Sequence, residues 1–186
     1  MKWPGLRHKQ APPAYQLMLK MERKLTVEDA RQSLASHAAE KGWQLREKYG
    51  AGLGYDDLQR VLEDRSLVRY PCEIVFDDTA LLSGEMAHPF PNSELPEKGF
   101  RIHVHPIYRA QLTELPVIVL YQLVLVNYGE FACAEDAEAF GAAALGLSKE
   151  EYYTRLCGLA DQLEGASAGK HSAGESFRIF NCDLGE

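Results

Sequence analysis

Apolar residues that recur every three or four positions predict a helix near the start of the chain. The stripe consists of Val27, Ala30, Leu34 and Ala38. We expect the regular helix to run to about Lys41, because Gly42 is a poor helix former, and residues 43–49 to continue it irregularly. A second, shorter helix is predicted from Asp56 to about Asp64, with Gln59 placed to close a capping box at its start.

Three short segments in the middle of the chain have the composition or the alternation of strands. They are residues 72–76, 84–90 and 100–105. The third segment alternates apolar residues with Arg101, His103 and His105, which therefore share one face. Because the three segments follow one another closely, we expect them to form an antiparallel meander.

Three helices are predicted in the second half of the chain. The first begins near Glu114 and is apolar nearly all round, which is typical of a central, buried helix. The second covers residues 133–145 and is rich in alanine, and Ser148 and Glu151 form a capping box for the third. Residues 177–182 are expected to add a short closing strand. The fold class is therefore predicted to be α+β: a small, mainly antiparallel sheet packed against a helical group with one central buried helix.

Charge divides the chain into two parts. The 186 residues carry a formal net charge of −7, with 46% apolar and 25% charged residues, which excludes a disordered protein. Residues 1–24 hold six basic residues and one acidic residue, a net charge of +5, so residues 25–186 carry −12. We predict a basic N-terminal arm, residues 1–24, and one domain, residues 25–186. The arm suits an acidic partner or the acidic domain of its own or a neighbouring chain, and the acidic domain argues against nucleic acid as a partner.

The spacing of the cysteines and the length of the apolar runs indicate in which cellular compartment the protein is located. The four cysteines are Cys72, Cys133, Cys157 and Cys182. None forms a pair with the spacing of a metal knuckle, so we interpret them as reduced, buried thiols. The start of the chain lacks the apolar core of a signal peptide, and the most apolar run, residues 115–126, is too short to cross a membrane. We therefore predict a cytoplasmic protein without a membrane partner.

The histidines of the strands are the best candidates for a metal site. Residues two apart on a strand point the same way, about 7 Å apart, so His103 and His105 could bind one ion. His88 is the candidate for a third ligand, and zinc or another divalent metal is the cofactor that this set would hold. Against this, alternation places His88 with Met86 and Phe90, on the face opposite to His103. The alternative interpretation is a solvated face of histidines.

Two adjacent acids, Asp77 and Asp78, follow the first predicted strand. Neighbouring residues of an extended chain point apart, so the two carboxyls cannot face one substrate together. We interpret them as turn residues at the end of the strand. No serine, cysteine or threonine of the sequence has a recognisable nucleophile setting.

The order of the predicted elements resembles that of small zincin metallopeptidases. The strand at 100–106, the apolar helix at 114–128 and the helix at 137–145 are similar to their active-site core, and the resemblance covers residues 71–146. In that family the central helix carries the motif HExxH, in which two His bind zinc and the Glu polarises water.

The zincin motif is replaced in this chain. Tyr121 stands for the first His, Gln122 for the Glu and Leu125 for the second His, and the downstream carboxylate would fall near Ala134 or Glu135. The resemblance implies a zincin-like protein that has lost its metal and its catalysis. It also implies a cleft that borders Tyr121, Gln122 and Glu135.

These observations favour a non-catalytic cytosolic protein that acts by binding a protein partner or by self-association. The missing catalytic motifs, the apolar helical half and the basic arm beside an acidic domain support this hypothesis. The alternative is a metal-dependent hydrolase that uses His88, His103 and His105.

Overall fold

The computed structural model describes residues 27–168 of the chain. The predicted arm, residues 1–24, and the predicted closing strand, residues 177–182, lie outside the described residues. Within the described part, the main compact unit begins at Ser33, and residues 27–32 precede it.

Five helices and three strands make up the described chain, which confirms the predicted α+β class. The helices are α1 (Val27–Tyr49), α2 (Tyr55–Glu63), α3 (Leu115–Tyr128), α4 (Ala134–Leu145) and α5 (Lys149–Ala168). The strands are β1 (Cys72–Phe76), β2 (Ala87–Pro91) and β3 (Phe100–Val104), and short 3-10 turns lie at Pro96–Lys98, Pro106–Ala110 and Gly129–Phe131.

The sheet is mixed, and its strand order is β1-β3-β2. β1 runs parallel to β3, and β2 runs antiparallel to it, so that Ile102 of β3 lies between Ile74 and Pro89. The expected antiparallel meander is therefore wrong, because the last strand and not the second lies at the centre. Ile102 and Val104 are fully buried, and because β3 is the central strand, residues of β1 and β2 flank its apolar face on both sides.

Helix α3 is the central helix, as its composition predicts. Of its 14 residues, all but Leu125 and Tyr128 are buried. It packs against α2, α4 and α5 on the helical side and against β2 and β3 of the sheet. A helix covered on all sides needs apolar residues on all sides, which is why no single apolar stripe can be read from its sequence.

Two buried tyrosines connect the elements of the helical group by hydrogen bonds to main-chain carbonyls. The hydroxyl of Tyr152 on α5 donates a hydrogen bond of 2.7 Å to the carbonyl of Val117 on α3. The hydroxyl of Tyr108 donates one of 2.8 Å to the carbonyl of Leu159 on α5. Both side chains are fully buried, and Gly141 of α4 lies directly against the ring of Tyr152, where a Cβ would overlap it.

The regular part of helix α1 is longer than predicted, because Gly42 does not end it. A Cβ at this position would overlap the carbonyl oxygen of Phe140, so glycine is needed here for the close approach of α1 to α4. The helix continues to Tyr49. Helix α2 starts one residue earlier than expected, and Asp57 rather than Gln59 closes its first turn by accepting a 3.3 Å hydrogen bond from the Gly54 N–H.

Asp64 ties the end of α1 to the loop after α2. Its carboxylate lies 2.6 Å from the Lys48 ammonium and accepts hydrogen bonds from the Tyr49 hydroxyl at 3.1 Å and from Ser66. Burial opposes the charge of Asp64, but these donors outweigh it and hold the pKa of the carboxyl well below its usual range.

Asn127 holds the segment that leads into β1 by two side-chain hydrogen bonds. The side-chain oxygen of Asn127, buried on α3, accepts a 2.8 Å hydrogen bond from the Arg69 N–H. Its amide nitrogen donates a 3.0 Å bond to the carbonyl of Leu67. Asn127 therefore sets where the chain enters β1.

Candidate functional site

The register of the sheet places His88 of β2 directly opposite His103 of β3. Paired residues of neighbouring strands point to the same face, so the two imidazoles lie side by side on the face turned away from Ile102 and Val104. The prediction that His88 and His103 lie on different faces of the sheet is therefore wrong. That prediction grouped His88 with Met86 as a core residue, whereas in the structure His88 is half-buried and the side chain of Pro89 faces the interior.

Phe90 completes this cluster. Its ring lies 4.8 Å from the ring of His88 and 5.2 Å, edge to face, from the ring of His103, measured between centroids. We call His88, Phe90, His103 and His105 the histidine cluster. Beyond the end of β3, His105 lies edge-on to Tyr108 at 6.4 Å, so the cluster runs from the sheet towards the start of the helical half.

Each imidazole faces a carboxylate of its own. His103 Nδ1 lies 3.7 Å from Asp77 Oδ2, and His105 Nε2 lies 3.4 Å from Asp78 Oδ2. His88 Nδ1 lies 3.8 Å from Glu85 Oε1. The three acids thus divide the cluster into three local pairs instead of gathering around one point.

The two adjacent acids turn to different histidines, which agrees with their interpretation as turn residues. Asp77 accepts hydrogen bonds from the Thr79 N–H at 3.1 Å and the Thr79 hydroxyl at 2.8 Å. These two bonds, followed by the neighbouring His103, hold the pKa of Asp77 below its usual range. Asp77 is therefore a carboxylate whose oxygens already accept hydrogen bonds within the turn at Thr79.

The hydrogen bonding of His105 decides its tautomer. Its Nδ1 accepts a 3.3 Å hydrogen bond from the Ile107 N–H, so the proton of the neutral ring is on Nε2, which faces Asp78. His103 differs: its Nδ1 is buried and has no hydrogen-bond partner among the described residues, since 3.7 Å to Asp77 is too long for one.

The geometry limits what the histidine cluster can bind. Within residues 27–168, no three His, Cys, Asp or Glu side chains are arranged to hold a metal ion. A cross-strand pair such as His88 and His103 presents two imidazoles at neighbouring positions, which is the start of a chelate but not a closed site.

The three residues predicted to border a cleft lie at different depths. Tyr121 and Gln122 are buried in α3, with 8% and 7% of their surface exposed, whereas Glu135 is exposed in the first turn of α4. The side-chain oxygen of Gln122 has no hydrogen-bond partner among the described residues. The described contacts do not bring Glu135 to the other two.

Between α4 and α5, a second set of ionisable groups lies around Tyr152. Burial, followed by the neighbouring Tyr121 and Glu138, raises the pKa of Tyr152 well above its ordinary value. Burial also raises the pKa of Glu138, and Glu135 adds to the effect by repulsion. Since the Tyr152 hydroxyl is engaged with Val117, this set supports packing and not proton transfer.

The two edges of the sheet differ, and the sequence pattern did not reveal this. On β2, the bonds from His105 N–H to Met86 and from Asn92 N–H to Gly99 turn the even-numbered residues towards β3. The main-chain groups of Pro89 and Pro91 therefore point away from β3, and because proline has no N–H, this edge lacks two amide donors.

β1 has the opposite kind of edge. Pro71 accepts a hydrogen bond from the Phe100 N–H, and the Asp77 N–H donates to Val104, so the odd-numbered residues of β1 face β3. Cys72, Ile74 and Phe76 turn their main chain outward, and together we call them the β1 edge. Among the described residues, the only main-chain group of this edge with a hydrogen bond is the Phe76 carbonyl, which accepts a weak one of 3.4 Å from Arg109.

Other features of the described chain bear on its setting. Cys72 and Cys157 are free thiols, and Cys182 lies outside the described residues. Burial raises the pKa of the Cys72 thiol to about 12. None of the described helices combines the length and the apolar character that a membrane span requires.

Comparison of the chain with protein-family models, with curated proteins and with solved structures gives no match.

Proposed function

We propose that this chain is a non-catalytic protein that acts by associating with a second copy of itself. The observation that carries the proposal is the β1 edge. Among the described residues, its outward main-chain groups have no partner apart from the weak bond that Arg109 donates to the Phe76 carbonyl, and they lie beside half-buried apolar side chains. An open strand edge is a template for another strand, and proteins that do not use such an edge block it. The prolines of β2 are a block of this kind at the other side of the same sheet.

The chemistry of the described residues supports a binding role over catalysis. The acids near the histidine cluster are each directed to one imidazole, and Asp77 is also held by Thr79. The three acid–imidazole pairs are separate from one another, so among the described residues they do not converge on one point that could hold a substrate or a metal ion.

Charge supports a partner of the same sequence. Residues 1–24 carry +5 and the remaining chain −12, so the first part of one copy is electrostatically complementary to the body of another. The same chain thus carries both signs that an association needs. The free thiols of Cys72 and Cys157 are in keeping with a reducing, cytoplasmic location.

Kinship with zincins is part of the proposal. It is supported by the order of β3, the buried helix α3 and the alanine-rich helix α4. Tyr121, Gln122 and Leu125 stand where that family has its zinc-binding motif, and none of them binds zinc through a nitrogen or thiolate. A zincin-like scaffold without its motif would keep the fold and act through its surface.

Sedimentation velocity of the full chain over a hundredfold dilution series tests the proposed function. We expect a species of twice the 20.8 kDa chain mass at high concentration that dissociates on dilution. A species of 20.8 kDa at every concentration would overturn the proposal. The series should be repeated at high salt, where a contact between the basic and acidic parts of the chain weakens.

The second candidate is a metal-dependent hydrolase that uses His88, His103 and His105. The pairing of His88 with His103 favours it over what alternation alone suggests. Calorimetric titration of the untagged protein with Zn²⁺ tests it, with His103→Ala as the matched variant. Stoichiometric binding that is lost in the variant would support this candidate, and absence of binding to the wild type would remove it.

A further inference from the structure

We propose that two copies pair through their β1 edges, antiparallel and about a twofold axis, with Ile74 of one copy opposite Ile74 of the other. The pairing joins two three-stranded sheets into one six-stranded sheet. The inference rests on the proposed function and names the surface that carries it.

The direction of the main-chain groups decides which residues can pair. In an antiparallel ladder, residues that face each other across the gap exchange both hydrogen bonds. Cys72, Ile74 and Phe76 face outward, so a partner strand must also present its even-numbered residues. Centring the pair on Ile74 meets this requirement for all three residues, since Cys72 then lies opposite Phe76 of the second copy.

Neighbouring registers are worse. A pair centred on Glu73 places two carboxylates directly opposite each other, which is destabilising on a sheet. A pair centred on Val75 leaves Cys72 opposite Asp78, beyond the end of the strand. A register shifted by one or any odd number of residues would place outward main-chain groups of one copy opposite residues of the other copy whose main-chain groups face β3. The register on Ile74 is therefore the one that uses the whole edge.

The side chains fit this register on both faces. On the core side, the small thiol of Cys72 meets the large ring of Phe76, and Ile74 meets itself. All three are half-buried against the core and gain cover from the second copy. On the other face, Glu73 lies opposite Val75 and keeps its 2.6 Å ion pair with Arg101.

The asymmetry of the sheet explains why the assembly would stop at two copies. Within residues 27–168, each chain contributes one open edge, and a twofold contact uses that edge on both chains. The outer edges of the six-stranded sheet are then the two β2 strands, where Pro89 and Pro91 prevent further addition. A closed dimer follows, rather than a fibre.

A proline at position 74 tests the surface, because the Ile74 N–H points outward while the ladder to β3 uses Glu73 and Val75. Ile74→Pro removes both bonds of the central pair and is expected to weaken dimerisation roughly tenfold or more, measured by sedimentation velocity of the full chain. Ile74→Val is the matched control, which keeps the N–H and should change the dissociation constant by less than about threefold. Circular dichroism checks that both variants are folded.

A cross-link provides a second measurement if Ile74→Pro does not fold. Hydrogen-bonded partners have Cα atoms about 5.5 Å apart, within the range of a disulfide, so Ile74→Cys should form an interchain disulfide on mild oxidation. Val75→Cys is the control, since it faces Glu73 of the second copy and should not cross-link. Equal cross-linking of both variants would overturn the proposed register.

The outcomes separate the two proposals. If the wild-type chain is monomeric at every concentration, both the proposed function and the β1 contact are overturned. A dimer whose dissociation constant is the same in wild type and folded Ile74→Pro overturns the β1 contact and leaves self-association in place.

Discussion

The contact between Gly141 and Tyr152 gives a prediction whose sign runs against helix propensity. Gly141 lies inside α4, where alanine is the better helix former by about 1 kcal/mol. A Cβ at this position would overlap the ring of Tyr152, which is fully buried and held by its bond to Val117. Overpacking of this kind costs about 1–3 kcal/mol, and loss of the hydroxyl bond adds about 1 kcal/mol. We therefore expect Gly141→Ala to be destabilising by about 2 kcal/mol.

Urea denaturation followed by circular dichroism measures this difference, and the melting temperature should fall by about 4–8 °C. Gly158→Ala on α5 is the matched control, because a Cβ there would have no other atom within 4 Å. That substitution should raise the free energy of unfolding by about 0.5–1 kcal/mol. If Gly141→Ala were as stable as Gly158→Ala, the packing of α4 on α5 described above would be refuted.

Three further predictions follow from polar groups of the described chain. Asp64→Asn should lower the free energy of unfolding by about 2 kcal/mol at pH 7, measured in urea. Because the pKa of Asp64 is lowered on folding, its contribution is present above about pH 4 and lost in stronger acid, so wild type and variant should converge there. Asn127→Ala should cost about 2–3 kcal/mol, since it leaves the Arg69 N–H and the Leu67 carbonyl without their partner, and a cost below 0.5 kcal/mol would contradict this. Cys72, whose pKa is about 12, should resist alkylation at pH 8 in the native chain, as mass spectrometry of the labelled peptide would show, and rapid labelling would contradict its burial.

Local signals predicted most of the elements correctly. The bounds of β1 agree with the structure, and the alanine-rich helix ends at Leu145 as expected, before Gly146 with its positive φ. The capping box of Ser148 and Glu151 at the start of α5 is also present, with the Glu151 N–H donating to the Ser148 hydroxyl at 3.1 Å. These features depend on residues a few positions apart, so the sequence contains them completely.

The errors concern contacts between distant parts of the chain. Gly42 is a helix breaker by propensity, but its place against Phe140 outweighs that preference. The strand order and the pairing of His88 with His103 depend on register, which periodicity within one strand cannot supply. Two prolines at alternate positions, Pro89 and Pro91, were the available signal that β2 is an edge strand.

The exchange rate of the Ile74 amide hydrogen tests the central claim most directly. This N–H points away from β3 and has no acceptor among the described residues, so we expect it to be protected when the β1 edge of a second copy pairs with it. We expect its exchange, measured by NMR on the full chain, to slow as protein concentration rises, while the Val75 amide, bonded within the sheet, stays protected throughout. An Ile74 amide that exchanges freely at concentrations where the chain is dimeric would contradict the account.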